Sequence, residues 1–204
     1  MIKLSNYSRW DKYYQTYPLS ELGWELGKPR PILVKLFKAG LVPRGKALDM
    51  CCGAGINPLY LAENGLDVTA IDISKTALRI ARKKAFKAKR SIAFTLGSFV
   101  DLSFKPETFD FIFDMGCFHH VEIKERAKFI AGVYQVLKSQ GIYMLTCFSR
   151  QNGSGWNHFT KQQLIDLFSK FFRFRKIEHY SSLEGDGVVR FFYTILMIKK
   201  DNQN

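Results

Sequence analysis

The strongest constraint on the fold is a regular alternation of short apolar segments with stretches of helical periodicity. The apolar segments, rich in Val, Ile, Leu and Phe, cover residues 47–51, 68–73, 92–96, 109–114 and 141–148. The helical patterns cover residues 57–64, 75–89, 123–138 and 160–168. Strands that alternate with helices form a parallel sheet covered by helices on both faces. The sequence therefore predicts a doubly wound α/β fold.

The two ends of the chain depart from this alternation. Two further apolar segments, residues 174–179 and 188–198, are separated only by a polar turn, which predicts an antiparallel hairpin at one edge of the sheet. Upstream, residues 1–45 contain two helical patterns separated by the stretch LGWELGKPRP, which is rich in helix breakers. We expect one domain over residues 1–204, in which residues 1–45 form a helical cap and residues 46–204 form the core.

Composition excludes several classes of protein. The 204 residues carry 31 Lys and Arg against 18 Asp and Glu, a formal charge of +13 that favours anionic partners without naming one. The four cysteines follow no disulfide or metal-binding pattern, so we expect reduced thiols, no metal site and a cytoplasmic protein. The longest apolar run, residues 191–198, is shorter than the ~20 residues of a membrane-spanning helix. We therefore expect no membrane insertion.

The segment KALDMCCGAGIN, residues 46–57, carries the strongest functional signal. Asp49 lies near the end of the first predicted strand, and Gly53 and Gly55 follow just before a predicted helix. Glycines at such positions allow a ligand to approach the backbone closely. Asp72 ends the second strand, 19 residues after Gly53, which is close to the spacing of a carboxylate that binds ribose hydroxyls. This arrangement predicts a nucleoside cofactor.

Charge and the third glycine position distinguish between two cofactor classes. A dinucleotide-binding loop has the pattern GxGxxG and binds a pyrophosphate, but here Pro58 occupies the third position. The carboxylate of Asp49 would repel a pyrophosphate and attract a ligand that carries positive charge. These residues predict S-adenosylmethionine as the cofactor, with S-adenosylhomocysteine as its product.

Four segments, ALDMCCGAG, VTAIDIS, GSFVDLSF and FDFIFDMGCFHHV, together resemble the ordered motifs of class I S-adenosylmethionine-dependent methyltransferases. The resemblance implies a Rossmann-like seven-stranded sheet in the order 3-2-1-4-5-7-6 with strand 7 antiparallel. The cofactor-binding residues that it implies are Asp49, Cys51, Gly53, Gly55, Asn57, Asp72, Ile73, Ser98, Phe99 and Asp114. The stretch LGWELGKPRP also resembles the branch that methylates small thiols, thiopurines, halides and tellurite. The implied activity is methyl transfer to a small-molecule acceptor.

Three features depart from the family pattern. Cys51 stands where many members have glycine, so a tight turn has to accommodate its side chain. Ser98 stands where an acidic residue often receives the adenine amino group, which leaves adenine recognition to stacking on Phe99 and to backbone groups. The NPPY motif of many amino methyltransferases is absent after the fourth strand. Its absence disfavours exocyclic base amines as acceptors.

The loop after the fourth strand predicts the acceptor side of the site. Methyl transfer needs the acceptor about 3–3.5 Å from the methyl carbon and in line with the breaking bond, so positioning matters more than acid or base chemistry. The candidates for catalytic or acceptor-binding roles are Trp24, Asp114, Phe118 and His119, with Cys117 and His120 beside them. A histidine can accept a proton from a thiol or hydroxyl acceptor, or can simply hydrogen-bond to the loop backbone. Cys117 also fits a small buried thiol.

Two tryptophans are open to more than one interpretation. Trp24 fits either a core position or a wall of the acceptor pocket, where its ring can contact the sulfonium. Trp156 lies in the loop after the fifth strand and is a second candidate for a lid over the site. If Trp24 forms a wall and Trp156 a lid, aromatic rings surround the acceptor.

The basic segment KTALRIARKKAFKAKR, residues 75–90, also has two interpretations. Leu78, Ala81, Ala85 and Phe86 recur at helical spacing, which favours a helix that buries this stripe and exposes its cations to water. An RNA-binding surface is the alternative. The rival functions are thus an RNA or ribosome methyltransferase and a regulatory protein that binds S-adenosylmethionine without catalysis. The favoured prediction is a monomer or weak dimer that acts on a small molecule.

Overall fold

One seven-stranded sheet organises the chain, which the computed structural model describes over residues 4–201, with side chains from residue 9 onward. Its strands are β1 (Lys46–Met50), β2 (Asp67–Asp72), β3 (Ala93–Leu96), β4 (Phe109–Met115), β5 (Leu137–Phe148), β6 (Phe172–Leu183) and β7 (Val189–Lys199). The helices of this part of the chain are α1 (Leu4–Thr16), α2 (Pro31–Lys38), α3 (Ile56–Glu63), α4 (Lys75–Lys87), α5 (Arg126–Val136) and α6 (Lys161–Phe168).

The strand order is β3-β2-β1-β4-β5-β7-β6. Strands β1 to β5 pair in parallel, and β7 pairs antiparallel with both β5 and β6. The predicted fold class is confirmed, including the hairpin at the sheet edge. The order reverses between β1 and β4, where Met50 lies opposite Asp114. Ligands of open α/β sheets bind beyond the carboxyl ends of strands at such a reversal, so the functional site is expected there.

Apolar side chains on both faces of β4 hold the sheet between two layers of helices. Ile112 packs with residues of α5 and α6, whereas its neighbours Phe111 and Phe113 pack with residues of α2 and α3. All three side chains are fully buried, and successive strand residues point to opposite faces. Complete burial of each stabilises the fold by roughly 1.5–3 kcal/mol. This core fixes the strand ends that carry the site.

Two predicted helices differ from the observed elements. The pattern over residues 123–138 contains a short 3₁₀ turn followed by α5, which ends at Val136 because β5 begins at the next residue. In α4, the predicted apolar stripe is buried at Leu78, Ala81 and Ala85, but Phe86 is 87% exposed. Phe86 follows Ala85 directly and therefore lies about 100° around the helix from it. Its inclusion in the buried stripe was wrong.

The expectation of four reduced cysteines was also wrong. Cys51 and Cys117 form a disulfide with 5.9 Å between their Cα atoms, whereas Cys52 and Cys147 are free and buried. The paired residues are 66 positions apart in the sequence and meet because β1 and β4 are neighbours in the sheet. Sequence spacing alone does not contain this proximity. Within residues 4–201, no helix is long and apolar enough to cross a membrane.

Candidate active site

The loop of residues 51–55, here called the glycine loop, has three residues with positive φ. Cys51, Gly53 and Gly55 have φ values of 53°, 54° and 83°. A Cβ on Gly53 would lie 2.7 Å from Oε1 of Glu25, whereas a Cβ on Gly55 would lie 2.5 Å from that of Ala81. Gly53 thus allows a side chain of residues 9–30, here called the N-terminal segment, to approach the loop. Gly55 is required by packing against α4, and its contact with a ligand stays a prediction.

Two buried carboxylates lie beside this loop. Asp72 accepts the N–H groups of Gly53 and Ser74 at 2.8 Å each. Asp49 is 1% exposed, and its Oδ2 has no hydrogen-bond partner among the described residues. Burial raises the pKa of Asp72 to about 6, and burial together with the charge of Asp72 raises the pKa of Asp49 well above its usual range. Positive charge placed here would stabilise both ionised groups.

A cavity of about 300 Å³ opens at the carboxyl ends of the strands. Its carboxylate end, on the β2 and β3 side of the sheet, is lined by Cys51, Asp72, Ile73 and Phe99. Its aromatic end, on the side of β4, β5 and β7, is lined by Trp10, Trp24, His119, His120, Phe148 and Phe192. A second cavity of about 50 Å³ is lined partly by Gly53 and Asn57 and shares Trp24 and Cys51 with the first. The structure therefore brings most of the predicted site residues together.

The structure places five predicted site residues away from both cavity walls: Asp49, Gly55, Ser98, Asp114 and Phe118. Asp114 is fully buried and accepts the Cys117 N–H at 2.8 Å and the Tyr143 hydroxyl at 2.9 Å. Burial raises its pKa to about 7. Phe118 lies in the core, stacked on Phe159 at a centroid distance of 5.2 Å. Both residues hold the loop after β4 in place. They were predicted to contact the acceptor or the cofactor, but in the structure they face the protein interior.

Ser98 and Trp156 also differ from their predicted positions. The Ser98 hydroxyl accepts the N–H of Val100 at 3.1 Å and so shapes the loop after β3. Trp156 is 54% exposed and does not line the cavity, although its carbonyl accepts a hydrogen bond from Arg126 at 3.1 Å. Neither side chain lines the cavity in this structure.

His119 and His120 are both held in the neutral form. His119 is buried, stacks on Phe148 at 4.0 Å between ring centroids, and accepts the Phe148 N–H at Nδ1 over 3.3 Å. A neutral imidazole that accepts at Nδ1 carries its proton on Nε2. Burial lowers the pKa of His119 well below its usual range and the pKa of His120 to about 4. At neutral pH, His119 can donate a hydrogen bond but is a weak base.

The walls of the aromatic end include residues that sequence reasoning missed. Trp10 makes T-shaped ring contacts with Trp24 at 5.2 Å and with His120 at 5.0 Å, measured between centroids. Tyr14 follows Trp10 by one helical turn on α1, and both side chains line the cavity. The aromatic pair at helical spacing in WDKYY was the available signal. Phe148 and Phe192, on β5 and β7, offered no comparable local pattern.

A hydrogen-bond network connects the N-terminal segment to the glycine loop. Trp24 Nε1–H donates to the Tyr14 hydroxyl at 2.9 Å, and that hydroxyl donates to Oε1 of Glu25 at 2.7 Å. The same Oε1 accepts the N–H of Ala54 at 2.9 Å. Glu25 was not among the predicted site residues. Its buried carboxylate couples the wall of the aromatic end to the loop at the carboxylate end.

Two ion pairs hold the turn between β6 and β7 over the cavity. Arg30 binds both oxygens of Glu184 at 2.6 and 2.8 Å, and Arg190 binds Asp186 at 2.7 Å. The N–H of Gly185, between the two acidic residues, donates to the carbonyl of Gly23 at 2.8 Å. Each cation is matched by one carboxylate. This part of the cavity wall is therefore close to neutral.

Comparison with known proteins identifies the family. A model of the methyltransferase domain family matches residues 47–141. An uncharacterized methyltransferase of Schizosaccharomyces pombe is 30% identical over 134 residues, which cover 64% of this chain and 92% of that protein. The chain belongs to the class I S-adenosylmethionine-dependent methyltransferases. The prediction made from the four motifs is confirmed.

Other relatives of this methyltransferase have more specific names. The probable thiol methyltransferase 2 of Arabidopsis thaliana is 31% identical over 147 residues, which cover 72% of this chain but only 64% of the Arabidopsis protein. A solved structure concerned with the conversion of a disulfide bond into a thioacetal group during echinomycin biosynthesis has a TM-score of 0.86 and 21% identity. The superposition covers 97% of this chain and 94% of the other, and it shows that the two proteins share a fold.

Proposed function

We propose that this methyltransferase transfers a methyl group from S-adenosylmethionine to a small acceptor with a soft or easily ionised nucleophile, such as a thiol, a halide or an oxyanion. The observation that carries the proposal is the contrast within one cavity. The buried carboxylate of Asp72 lines one end, with Asp49 buried near the same loop, whereas aromatic rings and neutral histidines line the other end. A cationic donor fits the first end, and an acceptor positioned by shape fits the second.

The carboxylate end fits the donor chemically. When bound, S-adenosylmethionine supplies a methyl group attached to a positively charged sulfur. Asp72, Ile73 and Phe99 would hold its nucleoside part, since Asp72 offers carboxylate oxygens beside an aromatic and an aliphatic wall. Asp49 keeps a buried oxygen without a partner among the described residues, and the raised pKa of this group responds to positive charge nearby. These features support a cationic ligand over a pyrophosphate.

At the aromatic end, this chain positions the acceptor without offering it a strong base. Nδ1 of His119 already accepts the Phe148 N–H and burial lowers the pKa of this ring well below its usual range, while the pKa of His120 lies at about 4, so neither ring readily removes a proton at neutral pH. Trp10, Trp24 and Phe148 line this end with apolar rings. An acceptor that arrives as an anion, or that ionises easily, needs no base here. The name of the Arabidopsis relative supports sulfur as one such nucleophile.

An acceptor screen tests the proposal. The protein is incubated with S-adenosylmethionine and, separately, with thiols, halides, thiocyanate, tellurite, amines and RNA, and S-adenosylhomocysteine and methylated products are measured by mass spectrometry. We expect turnover with at least one thiol, halide or oxyanion. Turnover with amines or RNA alone would contradict the acceptor class. Donor binding without turnover on any acceptor would instead indicate a regulatory protein.

A further inference from the structure

The disulfide between Cys51 and Cys117 lies at the junction of the two halves of the site. Cys51 begins the glycine loop, and Cys117 belongs to the loop after β4 that also carries His119. The free cysteines Cys52 and Cys147 are buried, and burial raises the pKa of both thiols well above the usual range. Thiols held in the protonated form are poor nucleophiles. Exchange within the chain therefore does not compete with attack on this disulfide from outside.

Access to the two sulfurs is unequal. Cys117 is fully buried, whereas Cys51 is partly exposed and lines both cavities. An external thiolate therefore reaches Cys51, and in the larger cavity it approaches through the space where the donor is proposed to bind. The same space cannot hold donor and attacking thiolate together.

We propose that Cys51–Cys117 is a reversible thiol–disulfide exchange site for small thiols, and that a bound donor blocks it; the blocking step rests on the proposed function. A thiolate attacks Sγ of Cys51, the bond between the cysteines breaks, and its electron pair leaves on Sγ of Cys117, which takes a proton. A second thiolate attacks the external sulfur of the mixed disulfide and releases Cys51, which takes the second proton. Two external thiols are oxidised to one disulfide, and the protein gains two electrons and two protons.

The state of this pair also controls the glycine loop. Cys51 has a φ of 53°, a conformation that side chains other than glycine rarely adopt and that surrounding structure has to maintain. The bond to Cys117 fixes this residue to the loop after β4. Reduction removes that constraint and allows Cys51 to leave the left-handed conformation. The oxidised protein consequently binds the donor more tightly than the reduced protein.

Alkylation of the denatured protein tests whether the pair exchanges. The folded protein is first reduced with glutathione, then treated with oxidised glutathione, separated from it, and alkylated with or without prior dithiothreitol. We expect alkylation of Cys52 and Cys147 alone before reduction and of all four cysteines after it. Cys147→Ala should keep the protected pair, whereas Cys117→Ala should leave Cys51 open to alkylation or bound to glutathione. Alkylation of all four cysteines without reduction would overturn the exchange site.

Reduction kinetics test the connection to the donor. Saturating S-adenosylhomocysteine should slow the reduction of the disulfide by dithiothreitol at least about fivefold. Reduction should also weaken the affinity of the protein for S-adenosylhomocysteine at least about fivefold, which is the lower end of the usual coupling between two sites. Cys117→Ala should abolish the effect of reductant on affinity, and Cys147→Ala should retain it. If the ligand binds the oxidised protein but leaves the reduction rate unchanged, the blocking step is wrong. If it binds neither form, the proposed function fails, while the alkylation pattern still decides the exchange site.

Discussion

The two ends of the cavity are built in different ways. The carboxylate end is made by residues at or just after the ends of β1, β2 and β3, and its wall includes Asp72, a buried acid with a raised pKa. The aromatic end is assembled from α1 and the rest of the N-terminal segment, the loop after β4, and strands β5 and β7. Its histidines are neutral. In the proposed function, the first end recognises charge and the second recognises shape. One cavity can therefore bind a constant donor while its acceptor varies between related proteins.

The largest expected effect concerns the carboxylate end. Asp72→Ala removes the acceptor of the Gly53 and Ser74 N–H groups together with a carboxylate that faces the cavity. Because hydrogen bonds to charged groups contribute about 1.5–3 kcal/mol each, we expect at least a hundredfold loss of S-adenosylhomocysteine affinity by calorimetry. Asp67→Ala, at the exposed start of the same strand, is the matched control and should bind normally. Equal affinities of the two variants would remove the role assigned to Asp72.

A second variant tests whether the two ends are independent. Glu25→Ala removes the shared acceptor of the Tyr14 hydroxyl and the Ala54 N–H, so the glycine loop loses its connection to the N-terminal segment. We expect about a twentyfold loss of S-adenosylhomocysteine affinity, which is smaller than for Asp72→Ala because Glu25 holds the loop in place but does not line the larger cavity. Glu25→Gln keeps an acceptor oxygen and should lose less, and the exposed Glu21→Ala should lose nothing. An unchanged affinity in Glu25→Ala would show that the ends act separately.

The pH dependence of donor binding sharpens the contrast in charge. The pKa of Asp72 is about 6 in the free protein, and positive charge or hydroxyl donors favour its ionised form. Affinity for S-adenosylhomocysteine should therefore fall as the pH decreases through this value, by about tenfold between pH 7 and pH 5. Calorimetry across this range measures the effect, and Asp72→Asn should flatten it. A rise in affinity at lower pH would mean that the protonated acid is the binding form.

The smallest expected effect concerns the aromatic end. Trp10→Ala removes a ring that contacts both Trp24 and His120. Because aromatic pairs contribute about 0.5–1.5 kcal/mol beyond burial, we expect about a fivefold increase in the KM of the acceptor. The affinity for S-adenosylhomocysteine should stay within twofold. Trp156→Ala, an exposed tryptophan outside the cavity, serves as the control, and an equal change in both variants would indicate a general rather than a local effect.

The sequence predicted the carboxylate end far better than the aromatic end. Asp72, Gly53 and the strand order follow from periodicity and from a motif within one strand–loop–helix unit, which are local properties. Phe192 and Glu184 reach the cavity only through the antiparallel hairpin, so their roles depend on tertiary contacts between distant segments.

At the end of β4 and in the loop after it, the structure differs from the prediction for another reason. Asp114 and Phe118 follow the family motif, yet burial and hydrogen bonding direct them into the protein, whereas His119 beside them lines the cavity. A motif specifies which loop forms the site, but the packing of that loop decides which side chains face the ligand. The disulfide of Cys51 is likewise a property of the sheet order and not of cysteine spacing.

Calorimetric titration with S-adenosylhomocysteine and, separately, with NAD tests the central claim most directly. That claim is that the buried acids around the glycine loop favour S-adenosylmethionine, whose sulfur is positively charged, over a cofactor that contains a pyrophosphate. We predict saturable binding of one S-adenosylhomocysteine per chain and no binding of NAD. Binding of NAD alone by the folded protein would contradict the account.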